Sequence, residues 1–196
     1  MVSPKFREVI CMVSDKTIIL LLIGLDGAGV GSELGGITRL QKLLFLAEKE
    51  GGVRPSNSDF EFTPYKAGPC STKLYDDIEF LENLGLLEGQ FVGEANPFEA
   101  AEINKLSFED LMGEDALSDS SDGGGPNSPD AYQERVFRLT EKGRKKMEEL
   151  ISDNQYKPII EGIRKIKSKY GKYSLADLLY YVYTKYPDMT TESEIK

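Results

Sequence analysis

Hydrophobic and polar positions along this chain repeat mostly with the period of a helix. Residues 17–25 are almost wholly apolar and predict a buried first helix that begins near Asp15, although a buried strand fits the same run. Further on, apolar side chains recur every three or four residues, which predicts amphipathic helices. These periodic stretches are residues 38–50, 71–84, 141–152, 158–170 and 175–186.

Residues that favour helix starts stand just before several of these stretches. Thr38 begins the second helix and has Gln41 three residues later, which is a capping-box pattern. Thr140 and Ser174 are expected N-caps of two later helices. Pro158 suits the first turn of the helix between them, where its missing N–H has no partner to lose. The helical prediction therefore rests on end signals as well as on periodicity.

Two strands are predicted around a long interruption. Residues 84–88 end a helix and lead into a strand, and residues 133–139 form a return strand that ends in Leu-Thr. The resulting order of helix, strand, return strand and helix is typical of a winged helix. We therefore predict a mainly α fold with a small antiparallel sheet (α+β), in which a winged helix-turn-helix-like core carries C-terminal helices. Residues 1–196 form a single domain in this prediction, and residues 156–187 are a helical pair packed on the core.

Residues 94–132, between the two predicted strands, are interpreted as an acidic, partly disordered insertion in the wing. Residues 94–130 hold ten acidic residues and one base, Lys105, so their charge of −9 equals that of the whole chain. Residues 113–130 have low complexity and few apolar groups to offset the entropy of ordering. Residues 97–112 fit a short amphipathic helix that folds back or docks on a partner.

The composition argues against several kinds of catalysis. The chain has no histidine and only two cysteines, Cys11 and Cys70, so it lacks the residues for a Ser-His-Asp triad, a Cys-His pair or a His-ligated zinc site. The glycine-rich loop at residues 24–32 lacks the Lys-Ser/Thr of a P-loop and the third glycine of a dinucleotide motif. We predict no catalytic residue, no metal and no cofactor, and therefore no enzyme. No apolar run reaches membrane-spanning length, and a cytoplasmic location is expected.

Three motifs, GITRLQKLLFLA (36–47), FTPYKAGPCS (62–71) and FRLTEKG (137–143), resemble the YwgA-like proteins, a group similar to the Panacea domain of SocA-type antitoxins. The resemblance spans roughly residues 36–90 and 133–190 and includes YVYTKYP (181–187). It implies a small prokaryotic winged-helix-like protein of regulatory or antitoxin type that is not an enzyme. Cys70 departs from the aromatic residue more frequent at its position, and the insertion has no counterpart in the group.

Residues 71–84 would be the recognition helix of a DNA-binding winged helix, and their charge argues against that use. The polar face presents four carboxylates and one lysine, which repel a phosphate backbone. Ser71, Thr72 and Lys73 at the helix N-terminus remain candidate phosphate contacts, because a helix N-terminus favours anions. The alternative interpretation of this face is an ordinary solvated acidic surface.

A basic surface is predicted in the C-terminal third of the chain, where residues 131–196 sum to +4. Clustered cations attract phosphate, although exposed helix faces often carry the same pattern. The first hypothesis is a regulator or antitoxin that binds DNA here. The alternative is an antitoxin or adaptor module that contacts a toxin or another protein and does not bind DNA. The candidate nucleic-acid-binding side chains are Arg135, Arg138, Arg144, Lys145, Lys165, Lys167 and Lys169.

Tyrosines are concentrated near the C-terminus, and Tyr180, Tyr181 and Tyr183 cannot all share the inner stripe of one helix. Tyrosine is enriched at protein interfaces because it buries a large area while its hydroxyl stays polar. These three residues therefore predict a protein interface, with a second copy of the chain as one candidate partner.

Overall fold

The structure is a computed structural model, and it describes residues 13–25, 33–55, 60–65, 67–92 and 134–191. The acidic insertion predicted at residues 94–132 lies outside these described residues. Six helices are present in the described part of the chain: α1 (Asp15–Gly24), α2 (Ile37–Glu50), α3 (Lys73–Asn83), α4 (Glu141–Ser152), α5 (Lys157–Tyr170) and α6 (Leu175–Lys185). Short 3-10 turns at Asn154–Tyr156 and Pro187–Met189 flank the last helices.

Five short strands complete the described fold: β1 (Leu34–Gly35), β2 (Thr63–Tyr65), β3 (Gly68–Cys70), β4 (Leu87–Val92) and β5 (Glu134–Leu139). β1, β5 and β4 form an antiparallel sheet in that order, and β2 pairs with β3 in a separate hairpin. In the larger sheet Leu87 is opposite Leu139 and Val92 is opposite Glu134. The predicted mainly α fold with a small antiparallel sheet is confirmed, and the two strands around the insertion pair as predicted.

The apolar run for which the sequence allowed either a helix or a strand forms helix α1, and this helix lies at the centre of the core. Its residues from Ile18 to Gly24 are buried, because α2, α3, α4, α5 and β5 all contact it. A helix that is apolar all round is stable only when other elements cover every side. Ser14 caps its start, where the hydroxyl oxygen accepts a hydrogen bond from the N–H of Thr17.

The predicted capping box of the second helix is wrong. Helix α2 begins at Ile37, and its N-cap is Gly36, whose φ of 73° suits glycine. The N–H of Gly36 also bonds to the carbonyl of Arg135, so the chain passes directly from the β1–β5 ladder into the helix. Thr38 is buried within the helix, and the side chain of Gln41 accepts a hydrogen bond from the N–H of Ser71. Tertiary pairing therefore replaces the local cap.

The later helix starts agree with the sequence signals. The hydroxyl of Thr140 accepts the N–H of Gly143 at 3.0 Å at the start of α4. Ser174 and Asp177 form a reciprocal capping box at the start of α6. Pro158 lies in the first turn of α5. Local hydrogen bonds that need only neighbouring residues thus form as the sequence predicts.

The C-terminal helices α5 and α6 pack against α2. The approach of α5 is close, since a Cβ at Gly162 would lie 2.5 Å from the carbonyl oxygen of Gly51. Buried side chains from α1 through α6 form one connected apolar cluster in the described part of the chain. The C-terminal pair is therefore part of the same core as the sheet and the earlier helices.

A second close approach gives a test of the packing between α4 and the turn after α3. A Cβ at Gly143 would lie well under 3.0 Å from the carbonyl oxygen of Leu86, which is backbone and must shift to make room. We expect Gly143→Ala to lower the free energy of unfolding by about 1–3 kcal/mol, as overpacking does elsewhere. Urea unfolding curves would measure the change.

Gly89→Ala is the matched control for this substitution. The three atoms nearest to its added Cβ belong to the ends of the Arg135 and Glu82 side chains, so this substitution disturbs an exposed ion pair instead of the backbone. A Gly143→Ala variant as stable as wild type would show that this backbone contact does not constrain the fold.

Candidate functional site

The N-terminus of α3 is engaged within the protein. Ser71 is fully buried, and its N–H bonds to Gln41 Oε1 at 2.9 Å. Lys73 pairs with Asp15 of α1; burial alone lowers the pKa of Lys73, but the hydrogen bond and charge of Asp15 raise it above the ordinary value. Thr72 is the member of the predicted phosphate-binding trio that remains exposed. At this helix end the exposed member of the trio is therefore a hydroxyl group, and the lysine that would bind an anion is paired with Asp15.

The two arginines of the return strand β5 each bind a carboxylate. Arg135 Nη2 is 2.7 Å from both carboxylate oxygens of Glu82 on α3. Arg138 binds Glu33 at 2.7 Å and the side chain of Gln90 on β4 at 3.1 Å. Both arginines are still exposed enough to contact solvent, but their charges are compensated. These pairs tie the hairpin to α3 and to the entry into β1.

The predicted cations of α4 have different partners. Arg144 Nη1 donates a hydrogen bond of 3.1 Å to the carbonyl oxygen of Leu139, the last residue of β5. Lys145 pairs with Glu141 one turn earlier at 2.9 Å, and its side chain is 72 % exposed. An exposed pair of this kind contributes little to stability and breaks easily. Of these two side chains, Lys145 is the more available to a ligand.

The three predicted lysines of α5 bind the C-terminal ends of other helices. Lys167 donates to the carbonyl oxygens of Ile23 and Leu25 at the end of α1. Lys165 donates to the carbonyl oxygen of Glu50, the last residue of α2, at 3.2 Å. The last carbonyls of a helix lack partners within the helix and carry partial negative charge, so a lysine there is stabilising. This explains Lys165 and Lys167 on α5 without a nucleic acid.

The third lysine, Lys169, belongs to a cluster that the sequence did not indicate. The Glu50 carboxylate accepts five hydrogen bonds within the described structure, and its side chain is only 13 % exposed. The donors come from α5, α6 and the residue after α6. They are Tyr170 at 2.7 Å, Tyr181 at 2.9 Å, and Tyr186, Lys169 and Lys185 at 3.1 Å each. We call these six residues the Glu50 cluster.

The environment of Glu50 keeps its carboxylate ionised. Burial by itself raises the pKa, but the hydrogen bonds from Tyr170, Lys185, Tyr181 and Lys169 outweigh burial and lower the pKa from 4.5 to about 2. Burial and the bond to Glu50 in turn raise the pKa of Tyr186 to about 12, so this hydroxyl remains a donor. The Lys169 ammonium also lies 4.7 Å from the ring centre of Tyr170. The cluster is therefore structural: the negative charge of Glu50 is compensated by the lysines within it.

The predicted tyrosine interface is divided among three environments. Tyr181 is half-buried in the Glu50 cluster, and Tyr183 is half-buried with its ring against Gly68 of β3. Tyr180 is 75 % exposed on the outer side of α6. The structure therefore assigns two of the three tyrosines to internal packing and leaves Tyr180 as the exposed candidate.

The outward surface of α3 is acidic and partly apolar. Asp76, Glu79, Phe80 and Asn83 are exposed along the helix, followed by the C-cap residue Leu84. Neither Asp76 nor Glu79 forms an ion pair with another residue in the part of the chain that the structure describes. We call these five residues the α3 outer face. It has carboxylates and apolar groups where a DNA-reading helix needs hydrogen-bond donors and cations.

Within the described residues, no group of three or more Cys, Asp or Glu side chains is arranged to hold a metal ion. None of the helices described is long and apolar enough to cross a membrane. Comparison of the chain with protein-family models, with curated proteins and with solved structures found no significant match in any of the three.

The ionisation of Glu50 predicts a specific pH dependence. A carboxyl whose pKa is lower in the folded state stabilises the fold above its unfolded pKa of 4.5, and this stabilisation is lost as the pH falls toward about 2. A shift of this size corresponds to about 3 kcal/mol. We expect Glu50→Gln to be less stable at pH 7 and to show a weaker pH dependence than the wild type between pH 5 and pH 2, measured by urea unfolding at each pH.

Glu161→Gln provides a matched control on α5, because Glu161 is exposed. This variant should follow the wild-type curve. If Glu50→Gln instead retained the full wild-type pH dependence, other carboxyl groups would be responsible for it.

Proposed function

We propose that this protein is a winged-helix-like regulatory protein in which α3 binds a protein partner rather than DNA. Apart from the separate β2–β3 hairpin between α2 and α3, the order α1, β1, α2, α3, β4, β5 is typical of winged helices, and so is the sheet order β1–β5–β4. In DNA-binding members of this architecture the helix at the position of α3 enters the major groove. The position of α3 is therefore that of a contact helix.

The single observation that carries the proposal is the chemistry of the α3 outer face. A helix that enters the major groove lies close to two phosphate backbones and gains affinity from lysine and arginine. Here the exposed positions are two carboxylates, one amide and two apolar side chains. Lys73, the basic residue of α3, is paired with Asp15. This face suits a protein surface better than a phosphate backbone.

The internal engagement of the basic side chains supports the same conclusion. Arg135 and Arg138 are paired with carboxylates, while Lys165 and Lys167 bind helix carbonyls. Phosphate would have to replace these partners, and each helix end would lose its compensating charge. The cations that sequence clustering indicated are thus mainly structural.

DNA binding is the second candidate function, and a specific set of residues favours it. Arg164 and Lys172 are exposed, and neither has an ion-pair partner among the described residues. Lys145 is paired only in an exposed one-turn pair that phosphate can displace. A contact made by these residues would use the α4 and α5 surface rather than α3.

The resemblance to the YwgA-like group is consistent with the proposed class of function. An antitoxin neutralises its toxin through a protein surface, and an adaptor likewise needs a surface rather than catalytic groups. The proposal therefore includes a cytoplasmic regulator or antitoxin with a protein partner and without enzymatic activity. The exposed Tyr180 is a further candidate contact, for a partner or for a second copy of the chain.

Titration of fluorescently labelled DNA duplexes of mixed sequence, at low salt, tests the choice between protein and DNA. We expect no change in anisotropy with the wild-type protein, because α3 repels phosphate. The double variant Asp76→Lys, Glu79→Lys places cations on the same face and should acquire duplex affinity that falls steeply with added salt.

Salt-sensitive duplex binding by the wild type would contradict the proposal. If that binding also weakened in a Lys145→Glu, Lys172→Glu variant, the α4 and α5 surface would be the DNA site.

A further inference from the structure

Two large apolar side chains on the α3 outer face have remained exposed. Phe80 is 46 % exposed and Leu84 is 43 % exposed, while most large apolar side chains of the described structure are covered. They are four residues apart, so they lie one above the other on the same side of the helix. Exposed apolar side chains that adjoin one another on a helix are more informative than single scattered ones.

Carboxylates border this apolar pair. Asp76 lies one turn before Phe80, and Glu79 precedes it directly. Both side chains are exposed and have no ion-pair partner among the described residues. The face therefore combines an apolar centre with negative charge that no described residue compensates.

The flanks of the helix differ from its centre, because their acids are paired. Asp77 pairs with Lys16 of α1, whose ammonium also lies 5.0 Å from the ring centre of Phe80. On the other flank Glu82 pairs with Arg135 of the hairpin. These contacts hold α3 in place from both sides, so little ordering of the helix backbone is needed when a ligand binds.

We propose that the α3 outer face is the docking site for a basic amphipathic helix of a partner protein. The assignment rests on the proposed function and specifies its surface and partner chemistry. A helix with apolar residues at three- and four-residue spacing places them on Phe80 and Leu84. Lysine or arginine beside that stripe meets Asp76 and Glu79, and such complementarity sets partner choice and association rate.

Charge also argues against other occupants of this face. Nucleic acids and anionic membrane surfaces carry the same sign as Asp76 and Glu79 and are repelled. Residues 94–130 of the chain itself carry −9, so the face repels that segment as well. A cationic partner is the occupant that the charges favour.

Three synthetic peptides of equal length test this assignment with the full-length protein. The first is a helix-forming peptide with leucine along one side and lysine along the other. The second has glutamate in place of lysine, and the third has the composition of the first in an order that gives no apolar side. Binding is measured by isothermal titration calorimetry and by peptide fluorescence anisotropy. We expect binding of the first peptide only.

Two α3 variants locate the site. Phe80→Ala with Leu84→Ala, and Asp76→Lys with Glu79→Lys, should each weaken binding of the basic amphipathic peptide about tenfold or more. Both pairs are exposed, so circular dichroism should show an unchanged fold.

Matched controls keep the same chemical change on other surfaces. Tyr180→Ala removes an exposed aromatic side chain from α6, and Glu148→Lys with Glu161→Lys reverses two exposed charges on α4 and α5. Both controls should bind the basic amphipathic peptide as the wild type does.

The outcomes separate this inference from the proposed function. The docking site is overturned if the basic amphipathic peptide fails to bind the wild type. It is also overturned if both α3 variants bind this peptide with wild-type affinity. Binding lost only in Tyr180→Ala also overturns it, yet leaves a protein-binding function in place on α6. Salt-sensitive binding of a DNA duplex by the wild type overturns the proposed function itself.

Discussion

The compensation of one carboxylate, Glu50, is the constraint that links the end of α2 to α5 and α6. Glu50 ends α2, where the partial negative charge of the helix terminus already disfavours an acid. A nearly buried carboxylate in that place is tolerable only when donors and cations surround it. Helices α5 and α6, with the residue after α6, supply all of its described donors, so the charge on α2 and the position of the C-terminal pair are inseparable.

The same principle accounts for much of the positive charge in the C-terminal third. Lys167 and Lys165 neutralise the carbonyl ends of α1 and α2, which meet the side of α5. Lys142 of α4 donates in the same way to the carbonyl of Leu84 after α3, at 2.7 Å. A basic patch in a sequence is therefore not always a ligand-binding surface. When the cations lie beside helix termini, they satisfy backbone groups that the helices themselves leave unpaired.

The functional consequence lies in the contrast between α3 and the rest of the chain. Its flanking charges, Asp77 and Glu82, are satisfied by α1 and the hairpin, whereas Asp76 and Glu79 form no ion pair with any residue that the structure describes. Within the described residues, the packing of α3 into the core uses neither these two acids nor the two exposed apolar groups beside them. Their presence beside two exposed apolar side chains supports the proposal that a protein partner binds α3.

The sequence alone determined the features whose interactions are local. Helix periodicity and the caps at Thr140 and Ser174 were predictable, because each depends on neighbouring residues or on a regular apolar pattern. The acidity of α3 was predictable for the same reason. The pairing of β4 with β5 is not local, and it was predicted from the order of helix, strand, return strand and helix. Only the tertiary structure decided which charges remain available. Tyr181 lies 131 positions from Glu50, and Lys167 lies 142 positions from Leu25, so no local pattern could reveal these pairs or separate structural cations from binding ones.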